Sequence, residues 1–229
     1  MNYFYSKEKL ESIADEINKK YYPERLDRII SLDPYDLLEK LGLEVEWKYI
    51  SPNLDLMGMI FFEDSSWFIW ENEDYELSSI PHLENFKKGT ILINSNLLNK
   101  KYEKSEPFVV GHEVCHYIKD IPYFKTHPTD VLKICSKDNI GKTYWNDTMS
   151  ELDVIERQTN YLNAAILMPR KIIKFEFFKR LRYKNIPKEA IEFKSYMRKT
   201  IKSLADDFNL NFNPVLYRLY DLNILKRDR

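Results

Sequence analysis

Along residues 6–20, Leu10, Ile13, Ala14 and Ile17 recur at intervals of three and four with charged residues between them, the pattern of an amphipathic helix. Tyr21-Tyr22-Pro23 ends it. A shorter helix is predicted over Pro34–Lys40, capped by Asp33, opened by Pro34 and stopped by Gly42. The period then changes to two, since residues 43–50 alternate apolar and polar like a half-buried strand. Residues 57–62 and 67–70 read as two more strands, joined at 63–66 into a candidate hairpin. Residues 89–94 form a short β-branched strand. Helical spacing returns with Val109, Val110, Val114 and Ile118, where Ser105 can cap and Pro107 falls in the first turn. Residues 121–147 have no period and carry Pro122, Pro128 and Gly141, which predicts a long loop with a short helical turn near 131–134. Leu152, Ile155, Thr159, Leu162 and Ile166 then make one helical stripe, with Thr148 and Glu151 as a capping box and Pro169 as the stop. Ile172, Ile173, Phe177 and Leu181 continue at helical spacing. Residues 189–208 and 214–222 predict a further pair of helices in helix-turn-helix rhythm.

Many helices around a few short strands predict an α+β chain, mostly helical with a small, mainly antiparallel sheet. Its 229 residues, 44% apolar and 14% aromatic, suffice for one sizeable core. Lys+Arg 35 against Asp+Glu 36 leaves a net charge of -1, so no nucleic-acid or membrane partner is expected from charge. The helix-turn-helix rhythm is weakened as a DNA reader by Asp206 and Asp207 and by a single arginine in 214–222. The basic and aromatic blend at 170–180 fits an amphipathic helix with a charged outer face. Only 5 glycines are present, and neither nucleotide-binding glycine motif occurs. Two cysteines give no disulfide framework. The first residues lack the pattern of a signal peptide, and no stretch approaches 18 apolar residues, so a cytoplasmic location is expected.

Candidate chemistry concentrates at His112-Glu113-Val114-Cys115-His116. On a helix, His112 and His116 lie about 40° apart around the axis and one turn apart along it, so both imidazoles can reach one metal ion. Glu113 is about 100° round from His112, poorly placed as a ligand but able to reach a water on that ion. This is the layout of a zinc hydrolase with Glu113 as base. A third ligand is needed. By spacing alone Glu151, Asp153 and Glu156 compete for the part. Asn160 lies one turn beyond Glu156 on the same face and could orient a ligand. An oxyanion needs a further stabiliser, for which His127 or Tyr144 of the 121–147 segment are candidates. In zinc peptidases an edge strand beside the motif helix commonly aligns the substrate by backbone pairing, and strand 89–94 is the candidate for that part. His82 reads as a solvated loop residue, Cys115 as a small buried apolar one, and Trp67, Phe68 and Trp70 as core residues or cross-strand pairs.

Two stretches together resemble the ImmA/IrrE family of metallo-endopeptidases. They are the His112–His116 motif with its apolar lead, and the run from Glu156 through Asn160, Ala164 and Ala165 to Leu167-Met168-Pro169. Residues 34–45 also look like that family's helix-to-strand start. The resemblance covers about residues 10–170, implying a zincin-like peptidase domain at 1–170 with a helical extension at 171–229. It implies one Zn²⁺ held by His112, His116 and Glu156, with Asn160 behind them and Glu113 as the catalytic base. It further implies a protein substrate such as a helix-turn-helix repressor, or, on the alternative reading, a silent module that grips such a regulator without cutting it. Cys115 stands where the family usually has Gly, Thr159 where it has Ala, and Asp120 where many members have another His.

Overall fold

The computed structural model describes residues 4–72, 80–126, 134–135, 142–146 and 148–227. The chain is α+β and divides into two compact units, each assembled from separated stretches. One comprises Met1–Tyr3 and Asp33–Ile140, the other Phe4–Leu32 and Gly141–Arg229.

The first unit carries the strands. Helix α2 (Pro34–Lys40) has the predicted start, Asp33 accepting from the Tyr35 amide at 3.0 Å, and Gly42 follows it at φ +68°. Strands β1 (Glu44–Lys48), β2 (Gly58–Ile60), β5 (Thr90–Asn94) and β6 (Ile134–Cys135) form a sheet in the order β1-β5-β2-β6. Antiparallel pairing holds β2 to β5 and β6, while β1 and β5 run parallel, so the sheet is mixed. Strand β5 therefore lies inside the sheet, not at an edge. Its backbone is engaged on both sides, and the expectation that it aligns a substrate is overturned.

The expected hairpin across 63–66 is also corrected. Strand β3 (Ser65–Ile69) pairs antiparallel with β4 (His82–Phe86), with Ser65 opposite Phe86 and Ile69 opposite His82. Ile50, Met59, Phe61, Ile69, Phe86 and Leu92 pack into one core, where Phe61 and Phe86 stack at 5.1 Å. Helix α3 (Glu106–Thr126) packs against the sheet and runs past residue 121, through Pro122, where a loop was predicted. Buried Tyr123 and Phe124 account for the extension, Phe124 stacking on Phe62 at 4.3 Å. Of the helical turn expected near 131–134, residues 131–133 lie outside the described residues, and Ile134 belongs with Cys135 to strand β6.

The second unit is helical: α1 (Lys7–Tyr21), α4 (Glu151–Leu167), α5 (Arg170–Arg180), α6 (Met197–Asp207) and α7 (Phe212–Asp221). Helix α4 starts at a Ser150 cap that accepts from the Asp153 amide, displacing the expected Thr148–Glu151 box, since Thr148 bonds Asn146 instead. Arg25 is buried at the far end of α4, where it donates to the carbonyls of Ile166 and Leu167 at 2.9 and 2.7 Å. Those are C-terminal carbonyls with no helical partner, so the guanidinium replaces the lost bonds. Helix α6 begins eight residues later than position 189, the start expected from the pattern. No helix among the described residues is long and apolar enough to cross a membrane.

Candidate metal centre

The apolar residues leading into the motif bury this part of α3 on all sides. Val109, Val110 and Val114 have no exposed surface, and neither do His112, Glu113 and His116. Helical spacing brings the two imidazoles edge to face, with His112 Nε2 and His116 Nε2 2.9 Å apart. The other nitrogen of His116, Nδ1, faces Asp120 Oδ2 at 2.7 Å, one further turn along the same face. A carboxylate accepts only, so Nδ1 carries the proton, which in the neutral ring leaves Nε2 with its lone pair. Lys119 donates to the second oxygen of Asp120, and all three groups are buried. Burial pushes the Asp120 carboxyl up, but the charge of Lys119 and the His116 contact outweigh it and hold the group below the usual range. Carboxylate behind imidazole is the arrangement that fixes the tautomer and orientation of a metal-binding histidine.

Glu113 lies against strand β2. A Cβ placed on Gly58 would come within 2.8 Å of Val109 Cγ1 and 3.1 Å of Glu113 Oε1. Glycine at 58 is therefore a condition of bringing strand and motif helix together around that carboxylate. Cys115 is fully buried, and burial raises its thiol well above the ordinary range, as suits the inert apolar residue expected.

On α4, Glu156 is buried whereas Glu151 is exposed and Asp153 is occupied at the helix cap. The three candidates that spacing could not separate are thus separated by burial and by the cap. Asn160 is fully buried and its amide donates to the Lys142 carbonyl at 3.0 Å, anchoring the stretch before α4. Thr159, where the resemblance leads one to expect Ala, turns its hydroxyl back to the Ile155 carbonyl at 2.9 Å and stays buried.

Buried His112, His116 and Glu156 form a group that could hold a metal ion, each offering one ligand atom, all within 4.8 Å of one another. Two imidazole nitrogens and one carboxylate oxygen are a donor set that zinc accepts while keeping a position open. Sequence reasoning met Asp120 only as a departure from the family pattern and gave it no role. Its signal was present, since His112, His116 and Asp120 follow at intervals of four and share a helix face.

The remaining candidates fare differently. Tyr144 is 54% exposed, with the Arg227 guanidinium over its ring. His127 lies outside the described residues. His82 is exposed, as expected, but on β4 rather than in a loop; Trp67 is partly buried against the core of the strands and donates to the Ile50 carbonyl, whereas Phe68 is exposed. No protein-family model matches the chain, and no curated protein matches it either.

Proposed function

We propose that the chain is a zinc-dependent endopeptidase of the ImmA/IrrE kind, acting in the cytoplasm on a protein such as a helix-turn-helix repressor. The observation that carries this reading is the buried group of His112, His116 and Glu156, with Glu113 beside the two imidazoles on α3. Zinc held there would polarise a peptide carbonyl and acidify a water. Glu113, buried beside that position, would take the water's proton and deliver it to the leaving amine. Asp120 keeps His116 in the tautomer whose Nε2 can bind. Asn160 holds the stretch before α4 through the Lys142 carbonyl. The family likeness of the motif run, and with it the zincin-like fold, belongs to this proposal.

The test is metal content by mass spectrometry, followed by incubation of native protein and Glu113→Gln with a purified helix-turn-helix repressor. Native protein should contain one zinc per chain and cut the repressor. The variant should keep its zinc and lose at least about a hundredfold in turnover. Equal cleavage by both would remove Glu113 from the mechanism. Zinc with tight repressor binding and no cleavage by either would leave the silent module as the function.

A further inference from the structure

A concave site separate from the histidines lies in the first unit. A cavity of about 650 Å³ is lined by Tyr35, Trp47, Leu98, Lys100, Glu103 and Glu106, among others. That volume is of the size that accepts small organic ligands. Glu106 opens α3, six residues before His112, so the cavity is distinct from the metal centre.

Three features of its lining agree on one ligand chemistry. The rings of Tyr35 and Trp47 stack at 5.8 Å with 28° between their planes, and Trp47 keeps 38% of its surface exposed. Aromatic faces in a partly open cavity attract cations. Glu106 is only 9% exposed, yet among the described residues no cation stands within ion-pair distance of it. It accepts one bond, from the Trp47 indole at 3.3 Å, and no other described residue donates to it. A buried carboxylate with a single neutral donor is costly, and a charged partner relieves the cost. Glu103 adds a second acidic group on the exposed rim. Buried Leu97 and exposed Leu98 supply apolar surface for a hydrocarbon stem.

We propose that this cavity binds an organic cation, an ammonium or guanidinium on an apolar stem, with its charge against Glu106 and its stem along Trp47 and Tyr35. The cation could be a free amine or a basic side chain of a peptide, and the experiment separates the two. Full-length protein is titrated calorimetrically with agmatine, with a short arginine-containing peptide, and with the same peptide carrying neutral citrulline. Saturable binding of agmatine assigns the site to free amines. Saturation by the arginine peptide alone assigns it to side chains. In either case Glu106→Gln should weaken binding tenfold or more, and Trp47→Leu should weaken it independently, with folding of both checked by circular dichroism. Lys100→Gln should bind as tightly as native protein or more tightly, because it removes a like charge from the rim. The proposal is overturned if neither cation saturates at millimolar concentration, if the citrulline peptide binds equally, or if Glu106→Gln binds like native protein. It is also overturned if only Lys100→Gln binds, since Lys100 would then be the internal partner of Glu106. None of these readouts depends on zinc or on peptide cleavage.

Discussion

At the residue scale, Asp120 shows how a side chain can act through its neighbour. It sits one turn beyond His116 and accepts from Nδ1, so its work is to orient an imidazole. Asp120→Asn keeps an acceptor for Lys119 but removes the charge behind the ring. Zinc affinity, read by competition with a chromophoric chelator, should fall about 10- to 100-fold while the circular dichroism spectrum is retained. Unchanged affinity would make Asp120 merely a partner for buried Lys119. Glu106 gives a separate residue-scale prediction. Burial first, then nearby Asp33, raise its carboxyl from 4.5 to about 7. The unfolded chain releases this proton near 4.5 and the folded chain holds it until about 7, so the group costs stability progressively as pH rises between those values. Glu106→Gln should therefore match native protein near pH 4.5 and exceed it by roughly 1–2 kcal/mol at pH 8, the full shift being discounted for partial solvent contact. Urea melts at the two pH values measure the difference, and equal stability at pH 8 would contradict it.

At the element scale, what the sequence allowed to be read depended on whether one element carried its own period. Helices α1 and α2 and strands β1 and β5 did, through Leu10, Ala14 and Leu37 or through the run Ile91-Leu92-Ile93, all buried. Strand β4 did not, because His82 and Glu84 alternate with an exposed Leu83 and the pairing with β3 spans thirteen or more positions. The course of α3 through Pro122 was hidden for a different reason. Proline costs an interior helix about 3 kcal/mol, and the packing of Tyr123 and Phe124, a tertiary fact, works against that cost. The two histidines and Glu113 were legible because one helix turn defines them, whereas Glu156 became distinguishable from Glu151 and Asp153 only through burial and capping. Gly58 was not legible at all, since nothing local marks a glycine whose role is to admit a helix 51 residues away, at Val109. That gives an element-scale prediction. Gly58→Ala must push β2 and α3 apart or displace Glu113, at a cost of about 1–3 kcal/mol in a urea melt. On the peptidase reading, kcat should fall more than zinc content does, because the glutamate moves and the imidazoles keep their helix. Native turnover and stability in this variant would show that the strand yields freely.

At the scale of the whole chain, the two units are each built from stretches far apart in sequence, and the second is held by buried charge. Glu11 of α1 accepts both guanidinium nitrogens of Arg218 on α7, at 2.5 and 3.0 Å, and the Tyr161 hydroxyl of α4 at 2.7 Å. Arg218 also donates to the Met168 carbonyl, so three helices meet on one ion pair. No periodicity announces such a contact, because each residue alone reads as a polar position in its helix. Burial pushes the Glu11 carboxyl up, but Arg218 and the Tyr161 hydroxyl bring it below its ordinary value. A depressed folded value means that the stabilisation is complete above the unfolded value of 4.5 and is lost as pH falls through the folded one. Arg218→Met leaves buried Glu11 with only the more distant Arg170, 4.0 Å away, as a cation and should cost about 3 kcal/mol at pH 7. Adding Glu11→Met removes the stranded charge, so the double variant should recover much of that loss and should unfold with less dependence on pH below 4.5 than native protein. Denaturant midpoints for the three proteins at pH 7 and pH 3 decide the matter. If the single and double variants are equally destabilised, the contribution of the pair is its shape and its bond to Met168 rather than its charge, and the cohesion of α1, α4 and α7 rests on packing alone.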